Sequence, residues 1–521
     1  MQSIQMQTCN LGTERNVLNG MNIKFDDLFK RFSDKKEPEQ KDTGQGKKDS
    51  SYQSATIIFI KKPFRLKYYL LLFLILTGWV SGAQNPVEFS LKNSTLAATD
   101  SLLPFWFSAN QNGKIEAAGS FLNFSDLYIG QDYPAADSAF SLTWGGNVVA
   151  ALGEKNYFQV NRFFAGISFK GWELKGGMFY DAVRYAGLST SNGNISRSHN
   201  ARPYPLIRVS TRGYKLAPIF SNWLTFKAEY DEGILNDNRF VDKARMHHKS
   251  FYLRIQPAKS WEISAGLEHF VMWNGTSADE QEGRLPSGFD AYLRYIFGLK
   301  GNEDFNLNDI LNVAGNQLGT WQLEAQKHFS GADVTFYVSH YFEDYSGVNW
   351  RNWRDNLLGL HIGFKVRERI LNDFVYEFTN TRNQSIVGKI WQGPDNYFNH
   401  GIYRSGYTYH QQVIGSPLIF PVVLRDGIAR GVRSNRFFAH HLGICGKLSN
   451  YLHWKGMLTY IEHWGTYGSP YNTYRKQLSG LLEAEYINPG FPVELGLSLS
   501  ADAGNTISKN GAVQFWIAKT W

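Results

Sequence analysis

Gly511-Ala512-Val513-Gln514-Phe515-Trp516-Ile517-Ala518-Lys519-Thr520-Trp521 closes the chain with a strand pattern. Val513, Phe515, Ile517 and Trp521 fall on one face at period two, with Gln514 and Thr520 on the other. A strand so divided suits lipid on one side and water on the other. Lys519, two residues from the end, sits where its amine can reach the headgroups.

This ending resembles the terminal strand of bacterial outer-membrane barrels, and a second segment points the same way. Lys61, Lys62, Arg65 and Lys67 precede the apolar run Tyr68 to Leu76, and Ser81-Gly82-Ala83 follows. A basic stretch, a short apolar core and small residues make residues 61–83 a secretory signal cleaved after Ala83. The run is shorter than the roughly 20 residues of a helical span. Residues 1–60 are polar and without periodicity, which suggests an over-extended gene model or, alternatively, a long genuine leader.

Of the formal net charge of +8, residues 1–83 carry +5, from 13 basic and 8 acidic residues, and +3 remains beyond them. The basic balance therefore implies no nucleic-acid partner. Cys9 lies before the cut, which leaves Cys445 alone after it, and no cysteine follows the cut to carry a lipid anchor.

Aromatic residues make up 15% of the chain, yet mean hydropathy is −0.35. A barrel reconciles these values, because each strand alternates between lipid and lumen and needs no continuous apolar run. Val493, Leu495, Leu497 and Leu499 alternate with Glu494, Gly496 and Ser498; Leu358, Leu360, Ile362 and Phe364 alternate with Gly359, His361 and Gly363. Similar spans recur at 141–152, 158–169, 173–181, 206–214, 223–231, 250–256, 261–270, 291–297, 321–329, 334–342, 374–379, 437–447, 452–463 and 478–487. Further strands are expected within 403–417 and 422–430. The expectation is an all-β transmembrane antiparallel barrel of about 18 strands over residues 136–521. Residues 84–135 are read as a periplasmic or plug segment with short helices.

Catalytic and cofactor signatures are absent from the sequence: it has no Gly-rich phosphate loop, His-Glu-x-x-His or Gly-x-Ser-x-Gly. His247-His248 and His440-His441 are neighbours on strands and point to opposite faces, a poor arrangement for one metal. Asp279, Glu280 and Glu282 read as solvated loop charge. No catalytic, cofactor or metal site is assigned. Two aromatic stretches are candidates for carbohydrate binding. Trp350, Arg351, Trp353 and Arg354 combine flat rings with guanidinium groups, suited either to sugar faces and carboxylates or to an interfacial girdle. Tyr397, His400, Tyr403, Arg404, Tyr407 and Tyr409 lie in the densest stretch, 395–417, which suits a ligand site or a structural plug.

The pattern Tyr397, His400, Tyr403, Gly406-Tyr407-Thr408-Tyr409 and Ile414-Gly415 resembles the Wzi family of capsule-assembly proteins. So do Leu103-Pro104-Phe105-Trp106 and Tyr376-Glu377-Phe378-Thr379-Asn380-Thr381 with Gln384-Ser385. The resemblance implies an 18-stranded barrel, obstructed by loops, that binds capsular or extracellular polysaccharide in the outer membrane of a Gram-negative cell. It implies outer-membrane lipid and the export and barrel-insertion machinery as partners, no cofactor and no catalysis. A diffusion porin, and an outer-membrane hydrolase or acyltransferase, are the alternatives.

Overall fold

The computed structural model describes residues 87–115, 119–131, 140–217, 223–343, 345–385 and 394–521. The signal segment 61–83 and residues 1–60 lie outside them. Eighteen antiparallel strands form one closed sheet: β1 (Glu88–Ala98), β2 (Phe121–Gln131), β3 (Phe140–Gly153), β4 (Tyr157–Phe169), β5 (Trp172–Met178), β6 (Leu206–Thr211), β7 (Leu224–Ile234), β8 (Arg245–Ala258) and β9 (Trp261–Trp273). The circuit continues through β10 (Asn316–His328), β11 (Ala332–Phe342), β12 (Asn356–Phe364), β13 (Asp373–Asn380), β14 (Phe437–Lys447), β15 (Leu452–Gly465), β16 (Pro470–Tyr486), β17 (Glu494–Gly504) and β18 (Asn510–Thr520). Lys215–Leu216 continues the place of β6 beside β7. The terminal strand closes the barrel, with Ser90 opposite Thr520 and Ala98 opposite Ala512.

Alternation places apolar residues outside and polar residues within. On β4, Phe158 and Phe163 are 69% and 70% exposed while Gln159 and Asn161 are buried in the lumen. Val513, Phe515 and Ile517 of β18 face outward, and Trp516 between them is buried inside. Connections at the rim that holds β1's start and β18's end are short, such as 170–171, 259–260 and 448–451. The longest connections leave the opposite rim: 99–120, 179–205, 274–315, 343–355 and 381–436. In outer-membrane barrels short turns are periplasmic and long loops extracellular, which orients the molecule.

Several sequence expectations need correction. Residues 84–135 are not only a plug segment, because they supply β1 and β2; helix α1 (Phe105–Ser108) between them does enter the lumen. The two strands escape a period-two reading because their faces are partly inverted. Outward Asn93, Asn123, Thr95 and Ser125 hydrogen-bond to one another across the strands, while inward Leu96, Leu122 and Phe124 pack on the plug. Residues 291–297 are helical, within α2 (Phe289–Phe297), where Gly298 ends the helix at φ 60°. Residues 403–417 and 422–430 hold no barrel strand; they form short hairpins within the connection 381–436, Thr408–Tyr409 with Gln412–Val413 and Val422–Arg425 with Ile428–Val432. Cys445 is buried on β14, while Cys9 lies outside the described residues.

Candidate functional site

Two loops from the long-loop rim fill the lumen, and Glu377 on β13 anchors the first. Its carboxylate accepts hydrogen bonds from Ser189 Oγ (2.5 Å), Thr190 N (2.8 Å), Thr190 Oγ1 (2.6 Å) and Tyr337 OH (2.7 Å). A buried carboxylate needs such donors to offset its lost hydration. Tyr185 of the same loop stacks on Tyr337 at 4.0 Å, and the Tyr337 ring occupies space left by Gly359, where a Cβ would fall 2.0 Å from its Cζ. His441 Nε2 meets Leu188 O at 2.7 Å.

The second loop, with 394–436 described, lies on the first. Ser416 N donates to Ile195 O (2.8 Å), Ser198 Oγ to Gly415 O (2.6 Å) and Asn200 Nδ2 to Val413 O (2.9 Å). Gly406 adopts φ 70°, and a Cβ there would lie 2.4 Å from Phe398 O, so the motif glycine is required by close approach. Tyr397, Phe398, Tyr407 and Ile414 join Trp106 of α1 and Leu96 of the wall in one apolar core.

This geometry sorts the candidate residues. Tyr397, Tyr403, Tyr407 and Tyr409 are buried, so their rings build the plug and offer no face to a polymer in solvent. Tyr397 OH donates to Asp355 Oδ2 (2.9 Å) and accepts from Asn352 Nδ2 (2.6 Å). Tyr409 OH donates to Asn236 Oδ1 at 2.5 Å. His400 Nδ1 accepts from Ile402 N (3.2 Å) and Tyr403 N (3.3 Å), and burial pushes its pKa down to about 4, so it serves as a neutral turn acceptor. Arg404 is exposed, pairs with Asp279 at 2.7 Å, and lies 4.8 Å from the Phe240 ring.

Around Trp350 the turn divides its residues by depth. Asn352 and Asp355 are buried anchors; Asp355 also accepts from Gln384 N (2.6 Å) and Asn383 N (2.9 Å), and burial pushes its carboxyl up to about 6. Trp350, Arg351, Trp353 and Arg354 project outward, with Trp350 48% and Trp353 60% exposed. Trp350 takes φ 59°, a costly conformation for a bulky residue, and stacks at 4.0 Å and 3° on His340. His340 lies on the outer face of β11, since Tyr337 and Tyr341 point inward. Trp350 therefore occupies the outer rim, a girdle position, beside the more exposed Trp353–Arg354 pair at 5.2 Å.

A family model, capsule assembly protein Wzi, matches residues 90–445. The chain belongs to the Wzi family. Its fold is similar to that of Escherichia coli Wzi, described as an outer-membrane protein involved in group 1 capsule assembly and a carbohydrate-binding β-barrel. Identity there is 14%, coverage 88% of this chain and 89% of that one, and TM-score 0.53. Pseudomonas aeruginosa OccK5 matches at 10% identity, covering 84% of this chain and 99% of its own, with TM-score 0.43. Pseudomonas aeruginosa OprD matches at 10%, covering 85% and 97%, with TM-score 0.43. No curated protein sequence matches significantly.

Sequence reasoning missed a second group in this Wzi-family chain. At the long-loop rim, Arg475 and Arg433 lie 4.4 and 4.8 Å from the Tyr471 ring, and Arg436 lies 3.7 Å from Tyr467. The signal was local, since Tyr467, Tyr471, Tyr474 and Arg475 crowd one hairpin, but Arg433 and Arg436 come from across the turn. Glu229, Asp231 and His248 bring three ligand atoms within 4.8 Å. Arg208 engages both oxygens of Asp231 at 2.8 Å and Arg197 reaches Glu229 at 3.0 Å, which makes this a lumenal ion-pair network rather than an open cation cage.

Proposed function

We propose that this protein binds surface or capsular polysaccharide at the long-loop end of a sealed outer-membrane barrel and helps attach it to the cell, without catalysis. The observation that carries this reading is the pairing of cations with rings at the long-loop rim above a filled lumen, with Tyr471 contacted by both half-buried Arg433 and exposed Arg475 as the best-formed case. Rings stack on sugar C–H faces, and guanidinium groups hydrogen-bond to hydroxyls and carboxylates. The proposed contacts are Arg404, Trp353, Arg354 and Arg351 from the original candidates, with Trp350 at their edge, joined by Arg433, Arg436, Tyr467, Tyr471 and Arg475. The buried tyrosines and His400 hold this surface in place. Membership of a capsule-assembly family supports the reading, as does the carbohydrate binding attributed to the Escherichia coli relative.

A repeating polymer makes many weak contacts, and many protein copies convert them to durable attachment. The porin alternative is disfavoured by the stitched loops in the lumen. A hydrogen-bonded Ser434–His463 pair, at 3.1 Å, is buried, and His463 Nε2 meets no carboxylate among the described residues, so it offers a hydrolase little. Deleting the gene and comparing cell-attached with released polysaccharide tests the proposal: a shift to released polymer is expected, and unchanged attachment would refute it.

A further inference from the structure

Outside the barrel wall lies a second apolar core that the lumen does not explain. Registry places Tyr230, Glu232, His247, Lys249, Val271 and Gln317 on the outer face: Glu232 is opposite His247, His247 opposite Val271, and Val271 opposite Gln317, while the alternate residues His248 and Phe270 pack inside. Outward Val271 and Trp273 are nonetheless buried. They are covered by Ala291 and Tyr295 of α2, with Phe305 and Ala314 of the same loop, in a cluster separate from the plug core.

The covered wall is unusually polar for a barrel exterior, and the loop supplies its partners. Tyr292 OH donates to Glu232 Oε1 (2.5 Å), which also meets His247 Nδ1 at 2.6 Å. Gln317 Nε2 donates to Tyr295 O (2.9 Å) and Ala314 O (2.6 Å), and Lys249 Nζ donates to Ile296 O. Against lipid, these groups would each carry a desolvation cost without the loop.

The far side of the loop is apolar. Phe289 and Phe297, eight residues apart on α2, are 77% and 65% exposed. Leu307 and Leu311 of the following helix α3 (Leu307–Leu311) are 70% and 61% exposed, and Leu299 joins them. Polar Asp290 and Arg294, paired at 2.9 Å, flank the stripe. Exposed Phe251 and Leu253 continue the apolar surface down β8 toward the membrane midplane.

We propose that residues 289–311 form an interfacial wing whose Phe289, Phe297, Leu307 and Leu311 insert into the outer leaflet beside the barrel. The occupant is lipid because the stripe is continuous with the lipid-facing band and has a polar border, the arrangement of an amphipathic element lying in a membrane interface. The wing sets how deep the barrel sits, and so how far its long-loop surface stands from the headgroups. It is independent of which polymer, if any, that surface binds.

The test uses the full chain in phospholipid vesicles with an environment-sensitive fluorophore on Phe297→Cys or Leu307→Cys in a Cys9→Ser background, Cys445 being buried. Arg425→Cys at the exposed tip of the 422–432 hairpin is the aqueous control. Expected is loss of most emission at 297 and 307 when the lipids carry nitroxides on shallow acyl carbons, with little quenching by aqueous iodide, and the reverse at 425. Iodide quenching at 297 and 307 equal to that at 425 would overturn the wing. So would protection from both quenchers with cross-linked dimers, which would assign the stripe to a second copy of the chain.

Discussion

Replacing Glu377 by Ala should convert a silent barrel into an intermittently conducting one. Three of the four donors on its carboxylate, Ser189 Oγ, Thr190 N and Thr190 Oγ1, belong to loop 179–205, so the residue is one of the loop's polar ties to the wall, beside Glu324, which pairs with Arg184 and Tyr185, and Glu268, which accepts from Asn194. A hydrogen bond to a charged acceptor contributes about 1.5–3 kcal/mol, and three would give about 4.5–9 kcal/mol if they were independent. They share one carboxylate and are not independent, so a loss of about 3–5 kcal/mol is the better expectation. At 1.4 kcal/mol per decade, the released loop becomes roughly two to three and a half orders of magnitude more populated. The Tyr185–Tyr337 stack, the His441–Leu188 contact and the ties to Glu324 and Glu268 persist, so openings should be brief rather than permanent. Single-channel recording in planar bilayers reads this directly: the parent shows no steps, Glu377→Ala flickers, and Glu377→Gln, which keeps the shape, falls between. A folded Glu377→Ala barrel as silent as the parent would refute the latch, and a freely conducting parent would refute the seal.

Other perturbations separate scaffold from surface. Tyr407 OH has no hydrogen-bond partner among the described residues and its ring is buried, so Tyr407→Phe should leave thermal unfolding and polymer retention near the parent, whereas Tyr407→Ala should cost about 3–5 kcal/mol in the melt. Arg475→Ala with Arg433→Ala should leave the melt unchanged and lower polysaccharide retention about tenfold or more, as should Trp353→Ala to a smaller extent; retention assays on whole cells check both. The Asp355 carboxyl, raised to about 6 against about 3.8 when unfolded, favours its protonated form in the folded loop. Stability should therefore be greatest below about pH 4, fall as pH rises toward 6, and level off above it, by up to about 3 kcal/mol. Asp355→Asn should flatten that slope in unfolding curves taken from pH 4 to 7, and an unchanged slope would exclude Asp355 as its source.

The motifs that carry the family resemblance turn out to be joints of the plug. Trp106, Glu377, Thr381, Gln384 and Tyr397 are all buried, and Thr381 Oγ1 and Gln384 Nε2 both donate to Asn435 O. The densest aromatic stretch thus reported architecture rather than a ligand surface. Tyr467, Tyr471 and Arg475 drew no attention because their partners Arg433 and Arg436 arrive from a separate connection.

By itself, the sequence determined the barrel. Period-two alternation, as in Val513 to Ile517, specifies which face meets lipid, since a slip of one residue would reverse every side chain on the strand. Sixteen of the strands were legible on that basis; β1 and β2 were not, because their inner neighbours are apolar plug residues and their outer polar groups satisfy one another. Tertiary structure alone decided what became of the long connections. Whether a tyrosine such as Tyr403 faces a polymer or a packed core, and whether a helix such as α2 lies in the lumen or on the outer wall, depends on contacts between segments more than a hundred residues apart, such as Tyr403 OH with Asn274 O. Local pattern holds no record of such partners.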